Sequence, residues 1–349
     1  MSKRISVVIS QSPSKNPAKR KLEEDIVLGL MLEPGIDVTV VPNLYDIKTD
    51  STGMLALKGV GGNMIVAAWL YERAAHWILD RNGIHGHVGQ VLLTSESDED
   101  EDEDEASAGE DEKSRVIDTR EIPNRKIYAL DLRSSNKAQS FIDEIKRIQG
   151  ENAVQVVGLG DIVGGLSFSS SQPASLSSET VIANGETGDS VLNRIEETGG
   201  RRWYPVIDYS RCTNCMECID FCLFGVYGVD RIDTILVEQP DNCRKGCPAC
   251  SRVCPENAIM FPQHKTPAIA GSSESAASMK IDLSQLFGAP AEGKTASEIA
   301  SIERDEQLIM VGRDAVGQGA GIAKRQQDRE SAPSDDLDDL VDELNDLDI

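Results

Sequence analysis

All eight cysteines of this chain lie in two blocks, and their spacing is the feature with the clearest chemical meaning. The first block holds Cys212, Cys215, Cys218 and Cys222, and the second holds Cys243, Cys247, Cys250 and Cys254, followed by Pro255. Three thiolates spaced about one helical turn apart can reach three corners of a cubic iron–sulfur cluster, and the fourth ligand must come from elsewhere. The spacing therefore predicts two such clusters, whose chemistry is the transfer of electrons.

These two blocks resemble those of the bacterial two-cluster ferredoxins, over about residues 201–264. The resemblance implies a set of four cysteine ligands for each [4Fe-4S] cluster. The first cluster receives Cys212, Cys215, Cys218 and the remote Cys254, and the second receives Cys243, Cys247, Cys250 and the remote Cys222. Because each block lends one ligand to the other block's cluster, losing either remote cysteine should damage both a cluster and the local fold.

Two positions depart from the pattern of that family. Three residues, 244–246, separate the first two cysteines of the second block, where the family has two, and Leu223 replaces the usual trailing proline of the first block. Gly246 can absorb the extra residue because glycine tolerates unusual backbone angles. Positive charge near the second cluster should raise its reduction potential relative to the first. The basic residues expected to do so are Arg244, Lys245 and Arg252.

The sequence around the cysteine blocks also repeats itself. The matched apolar positions are Tyr204 with Ile235 and Val206 with Val237 before the blocks, and Val226 with Ala258 and Tyr227 with Ile259 after them. Each half has the pattern of a strand, a cysteine loop, a helix and a second strand. The repeat predicts a small α+β ferredoxin domain with pseudo-twofold symmetry.

Two other uses of cysteine agree less well with this spacing. Structural zinc sites favour cysteine pairs separated by a dozen or more residues, whereas here three cysteines fall within seven. Disulfides require an oxidising compartment, and the N-terminal sequence has the pattern of neither a signal peptide nor a membrane span. We therefore expect a cytoplasmic protein with no transmembrane segment.

Residues 1–150 alternate between strand-like and helix-like patterns. The strand candidates are residues 5–9, 37–41, 64–70, 88–93 and 127–132. Helices are indicated after Asn16 and Pro17, around Trp77, and over 138–148, where apolar residues recur at spacings of three and four. Apolar strands that alternate with helices predict a three-layer α/β domain with a parallel sheet, flavodoxin-like or Rossmann-like in arrangement.

Candidate ligand sites outside the cysteine blocks are weakly marked. No phosphate-binding glycine fingerprint follows the first strand, so a flavin or nucleotide at the polar loop 10–15 is an unsupported option. The segment 288–295 matches the P-loop expression for nucleoside triphosphates, but no strand ending in an acidic residue follows it, so we interpret the match as coincidental. His85 and His87 are expected to be loop residues rather than metal ligands.

The remaining segments are polar or acidic. Residues 94–113 carry twelve acids and one lysine, which predicts a disordered insertion in the first domain. Residues 151–200 are rich in glycine, serine and threonine and resemble a linker, and 265–349 are expected to be an extended or helical C-terminal extension. Its end, 334–349, is either an acidic amphipathic helix that docks on a partner or a disordered tail.

Three functions are compatible with these features. The formal net charge of −24 argues against binding to nucleic acid. The leading hypothesis is an electron carrier that serves redox partner proteins not identifiable from the sequence, and no residue is assigned a catalytic role. The alternatives are an oxidoreductase or redox-complex subunit, whose clusters feed a flavin or substrate in the N-terminal domain, and an interaction protein with structural clusters.

Overall fold

The structure, a computed structural model, describes residues 4–93, 114–152, 192–197, 199–272 and 296–317. It divides into two compact units, one drawn from residues 1–69, 84–104 and 123–199 and the other from 70–83, 105–122 and 200–349. Within the described ranges, no helix has both the length and the apolar character needed to cross a membrane.

The regular elements are short in the second unit and longer in the first. The strands are β1 (Ile5–Ser10), β2 (Ile36–Val41), β3 (Met64–Ala68), β4 (His87–Val88), β5 (Lys126–Asp131), β6 (Leu192–Arg194), β7 (Val206–Ile207), β8 (Tyr227–Val229), β9 (Ile235–Val237) and β10 (Ile259–Met260). The helices are α1 (Pro17–Met31), α2 (Thr52–Lys58), α3 (Glu72–Arg81), α4 (Ala138–Asn152), α5 (Glu217–Phe221), α6 (Ala249–Val253), α7 (Pro267–Ala270) and α8 (Ala296–Met310).

The first unit is built on a parallel sheet of six strands in the order β4-β5-β3-β1-β2-β6. Successive residues of the central strands, such as Val7 and Val8, are both fully buried, because a parallel sheet is normally covered on both faces. Helices α1 and α4 pack together and share an apolar core with alternate residues of the strands. The prediction of an α/β domain with a parallel sheet is confirmed.

Helix α1 begins where the sequence predicts. The Asn16 side chain accepts a hydrogen bond from the Ala18 amide at 3.0 Å, and Pro17 takes the first helical position. An asparagine cap satisfies an amide that has no partner within the helix, and proline lacks the amide that would otherwise be unpaired there. The start of α1 is therefore determined by local chemistry.

The fourth strand is shorter than predicted. Only His87 and Val88 pair with β5, whereas the sequence pattern indicated a strand over 88–93. Beyond them the backbone bonds to side chains of α4: the Leu92 amide donates to Glu144 at 2.8 Å and Arg147 donates to the Gln90 carbonyl at 3.2 Å. These bonds replace the strand ladder.

Strand β6 lies within the stretch 151–200, which the sequence pattern assigned to a linker. It pairs in parallel with β2 at the edge of the sheet. Arg194 forms an ion pair with Glu24 at 2.5 Å, and the Glu197 carboxylate accepts from the Gly53 amide at 2.6 Å. A strand of three residues has too little pattern to be recognised, so these long-range contacts identify it.

The second unit contains the cysteine blocks and two antiparallel strand pairs. Strand β7 pairs with β10, and β8 pairs with β9. Along the chain, β7, α5 and β8 are followed by β9, α6 and β10, so the two halves have the same element order.

Helix α3 groups with the second unit, although the sequence interpretation placed it in the domain of residues 1–150. Its Arg73 donates to the Asp208 carboxylate at 2.5 Å and to the Asn257 carbonyl at 2.6 Å. Trp77 meets the Tyr209 ring edge-on, with centroids 5.8 Å apart. The second unit therefore includes a helix from far upstream in the chain.

Several predicted features lie outside the described residues. They are the acidic insertion 94–113, most of the expected linker 151–200, the P-loop-like segment 288–295 and the acidic tail 334–349.

Candidate functional site

The eight cysteines line two separate cavities in the second unit. The first cavity encloses about 370 Å³ of space, partly open to solvent, and the second about 320 Å³. The first is lined by Cys212, Cys215, Cys218 and Cys254, and the second by Cys222, Cys243, Cys247 and Cys250. Each cavity thus combines three cysteines of one block with the last cysteine of the other, which are the two sets that the family resemblance implies.

The loop of the first cavity points backbone amides at sulfur atoms. The Asn214 amide lies 3.4 Å from Cys212 Sγ, and the Ala258 amide lies 3.3 Å from Cys254 Sγ. Asn214 and Met216 have φ angles of 59° and 63°, a conformation that turns successive amides towards one side of a loop. The Asn214 side chain holds this loop by donating to the Asp233 carbonyl and accepting from the Ile235 amide.

The wider loop of the second cavity depends on Gly246, as the sequence predicts. Gly246 has a φ of 88°, which side chains of L-residues disfavour. The indole of Trp203 donates to the Cys247 carbonyl at 3.1 Å and fixes the end of the loop. On the opposite wall, the Tyr227 hydroxyl donates to Cys250 Sγ at 3.0 Å.

Burial makes the free thiols hard to ionise. It raises the pKa of Cys218, and negative charge on Cys254, Cys212 and Cys215 raises it further. Burial likewise raises the pKa of Cys243, with contributions from Cys247 and Cys222, and raises the pKa of Cys247 to about 11. A cysteine must lose its proton to bind a metal, so these buried sites favour thiolates only when cations compensate the charge.

The two cavities have different linings beyond the cysteines. Glu217 and Glu256 line the first cavity, whereas Arg304 of α8 lines the second. Arg304 is only 1% exposed, and its guanidinium carbon lies 4.5 Å from the centre of the Phe221 ring. Tyr227 lines the second cavity, while its counterpart in the repeat, Ile259, lines the first.

Arg304 is the residue of this site that sequence reasoning missed. The basic residues expected near the second cluster, Arg244, Lys245 and Arg252, do not belong to the lining of that cavity. Arg252 instead forms an ion pair with Glu303 at 2.9 Å. The sequence signal for Arg304 was its spacing. It lies four residues from both Ala300 and Leu308, which are fully buried, and therefore shares their helix face.

The candidate histidines do not assemble a metal site. His87 is in β4 and His85 accepts a hydrogen bond from Arg125 through its carbonyl oxygen. Among the residues that the structure describes, no three histidine, cysteine, aspartate or glutamate side chains converge closely enough to hold a single metal ion.

The loop after β1 is occupied by a carboxylate from its own unit. Glu23 of α1 is 1% exposed. It accepts hydrogen bonds from the Ser12 amide at 2.6 Å, the Trp69 indole at 2.8 Å and Arg20 at 3.0 Å. The amide and indole donors at this end of the sheet thus already bind an anionic group.

Comparisons with known proteins identify one similar protein for part of the chain. The chain is 48% identical over 77 residues to an uncharacterized ferredoxin of Methanocaldococcus jannaschii, which corresponds to 21% of this chain and 52% of that protein. The chain thus spans about half the length of the curated relative it matches. No family model matches the chain, and no solved structure matches it. The similarity supports a ferredoxin module in this protein.

Proposed function

We propose that the protein transfers electrons through two [4Fe-4S] clusters, one in each cysteine-lined cavity. The observation that carries this proposal is the crossed grouping of cysteines, in which three from one block and one from the other surround a common space. Two-cluster ferredoxins use the same exchange of fourth ligands. The similar protein from M. jannaschii is named a ferredoxin, which agrees with this assignment.

The donor set suits an iron–sulfur cluster better than a single zinc ion. Thiolates bind both. However, a zinc ion lies about 2.3 Å from each sulfur, and among the described residues no three cysteine, histidine, aspartate or glutamate side chains converge closely enough to hold one metal ion. Amide donors near Cys212 and Cys254 and the Tyr227 hydroxyl at Cys250 would stabilise sulfur atoms that carry negative charge. A bound cluster would supply reversible one-electron chemistry.

The protein's own residues would control access to the two sites. Apolar side chains such as Val226 and Ala258 are 1% exposed and exclude water from the cavity walls. Cys215, by contrast, is exposed to solvent, so electrons could pass between the first cavity and a partner at this residue. We propose that this partner is a redox protein, that the exchange takes place in the cytoplasm, and that the acidic tail 334–349 contributes to docking.

The test of this function is an analysis of anaerobically purified full-length protein. We expect about eight irons and eight sulfides per chain, together with coupled paramagnetic resonance signals after reduction. Colourless protein that contains stoichiometric zinc would refute the proposal. Clusters that could not be reduced and reoxidised without unfolding would instead favour a structural role.

A second candidate, an oxidoreductase that binds a flavin or nucleotide in the first unit, is favoured by the strand order. Strand β1 lies between β2 and β3, which matches the flavodoxin-like arrangement and not the Rossmann-like one. Ligands of such sheets bind where the strand order reverses, next to β1. The Glu23 carboxylate at the Ser12 amide counts against a phosphate group there. Flavin released by denaturing the purified protein would support this candidate.

A further inference from the structure

Helix α8 forms part of the wall of the second cavity, although it lies beyond the segment 201–264 that contains the repeat. It packs against α6, and its fully buried Ala300 belongs to the same apolar cluster as Phe221, Cys247 and Ala249. Arg252 of α6 binds both carboxylate oxygens of Glu303 of α8, at 3.1 and 2.9 Å. Among the described residues, the lining of the first cavity includes none from beyond residue 264.

This packing brings a permanent positive charge to one cavity. Arg304 lines the second cavity beside its four cysteines, and a guanidinium stays protonated in proteins. Its Nη2 donates to the Gly317 carbonyl at 2.6 Å, and its Nε lies 3.3 Å from the Asp305 carboxylate. Among the described residues that line this cavity, Arg304 is the charged one. Burial raises the pKa of Cys247, the Glu303 carboxylate, from outside the lining, raises it further, and the Arg304 charge lowers it.

The first cavity has the opposite character. Among the described residues, its lining includes Glu217 and Glu256 and no basic residue, and the Glu256 carboxylate pairs with Arg115 at 2.9 Å. Tyr227 donates a side-chain hydrogen bond to Cys250 Sγ at 3.0 Å. Backbone amides donate to sulfur at the first cavity, among them those of Asn214, Ala258 and Ile259, so the main difference between the two linings is one of charge. Hydrogen bonds to sulfur and local charge are two of the factors that set the potential of an iron–sulfur site.

We propose that Arg304 and Tyr227 raise the reduction potential of the second site above that of the first, so that the module holds its first electron in the second cavity. This inference rests on the proposed function. The physical reason is that reduction adds negative charge, which a buried guanidinium and a hydroxyl donor stabilise and which nearby carboxylates oppose.

Anaerobic redox titration of the full-length protein, followed by paramagnetic resonance, tests this inference. We expect two separable potentials in the unmodified protein. Arg304→Met should lower the higher potential, because the equilibrium constant for reduction should fall about threefold to tenfold. A tenfold fall corresponds to about 59 mV for a one-electron couple. Arg304→Lys should restore most of this shift, and Tyr227→Phe should lower the same potential. Glu217→Gln, at the first cavity, should raise the lower potential.

Two matched variants control for nonlocal effects. Arg194→Met removes the same charge from β6 of the first unit, and Tyr128→Phe removes a hydroxyl that bonds to the Asn152 side chain of that unit instead of to sulfur. Both should leave the two potentials unchanged. Equal potentials in the unmodified protein would overturn the inference. Arg304 and Tyr227 variants that shift neither potential, or that shift both by the same amount, would also overturn it. Protein prepared without iron and sulfide would refute the proposed function itself.

Discussion

At the residue scale, the two remote cysteines are positioned by the ends of short helices. The Cys222 amide donates to the Cys218 carbonyl at 3.1 Å, and the Cys254 amide donates to the Cys250 carbonyl at 3.2 Å. Each cysteine therefore follows the last turn of a helix whose own cysteine lines the other cavity. The position of these helices determines which sulfur completes which set.

Cys222→Ser and Cys254→Ser should each remove one cluster and leave the other. A missing thiolate deprives one site of a ligand, whereas the opposite cavity retains its four cysteines. We expect the iron content to fall from about eight to about four per chain, with loss of the coupling between reduced sites. Variants that keep full iron content would contradict the assignment of remote ligands.

Gly246→Ala should destabilise the loop of the second cavity through backbone strain alone. An added Cβ would meet no atom within 4 Å, but the φ of 88° is unfavourable for an L-residue, at a cost of about 1–2 kcal/mol. The measurement is the denaturant midpoint for loss of the visible iron–sulfur absorption. Gly200→Ala, also in open space but without a positive φ, is the matched control and should leave this midpoint unchanged.

At the element scale, α3 is attached to the cysteine-bearing unit by a buried ion pair. Arg73 and Asp208 have side chains that are 12% and 2% exposed. Burial lowers the pKa of Arg73, and the negative charge of Asp208 opposes that shift. The Asp208 carboxylate also accepts from the Ser210 amide and hydroxyl, so the pair lies just before the first cysteine loop.

Arg73→Met should destabilise the second unit by up to about 3–5 kcal/mol, because the buried Asp208 carboxylate loses its closest charged partner and keeps the weaker contact with Arg211 at 3.8 Å. Loss of visible iron–sulfur absorption in denaturant would report the effect. The double variant Arg73→Met with Asp208→Asn should recover part of the stability because it removes the poorly compensated charge. A single variant as stable as the unmodified protein would show that α3 is held by apolar contacts alone.

At the scale of the whole molecule, the described clusters of buried apolar residues differ in composition between the two units. One large cluster lies between the parallel sheet and helices α1 and α4. Two smaller clusters in the second unit include cysteines among their members. The stability of the second unit should therefore depend on metal, while that of the first should not.

Removal of iron by an anaerobic chelator should unfold the second unit selectively. Hydrogen exchange would show continued protection for the amides of β1 and β3, with loss of protection for β7 to β10. Reconstitution with iron and sulfide after chelation should restore the protection of β7 to β10 and so provides a control for general damage by the treatment. Equal loss of protection in both units would contradict a metal dependence confined to the second unit.

The sequence by itself determined those features that depend on neighbouring residues. Asn16 and Pro17 predicted the start of α1, the apolar runs predicted the parallel strands, and the glycine before Cys247 predicted an unusual backbone angle. Cysteine spacing predicted the chemistry of the candidate site. Each of these signals comes from a local rule of propensity, capping or ligand geometry.

Only the tertiary structure decided which distant segments complete each unit. It identified β6 as a sheet strand, assigned α3 to the cysteine-bearing unit and brought Arg304 to the second cavity instead of Arg244 or Arg252. These outcomes depend on contacts between residues far apart in the chain. Local patterns do not encode such contacts, because burial and charge pairing are properties of the packed fold.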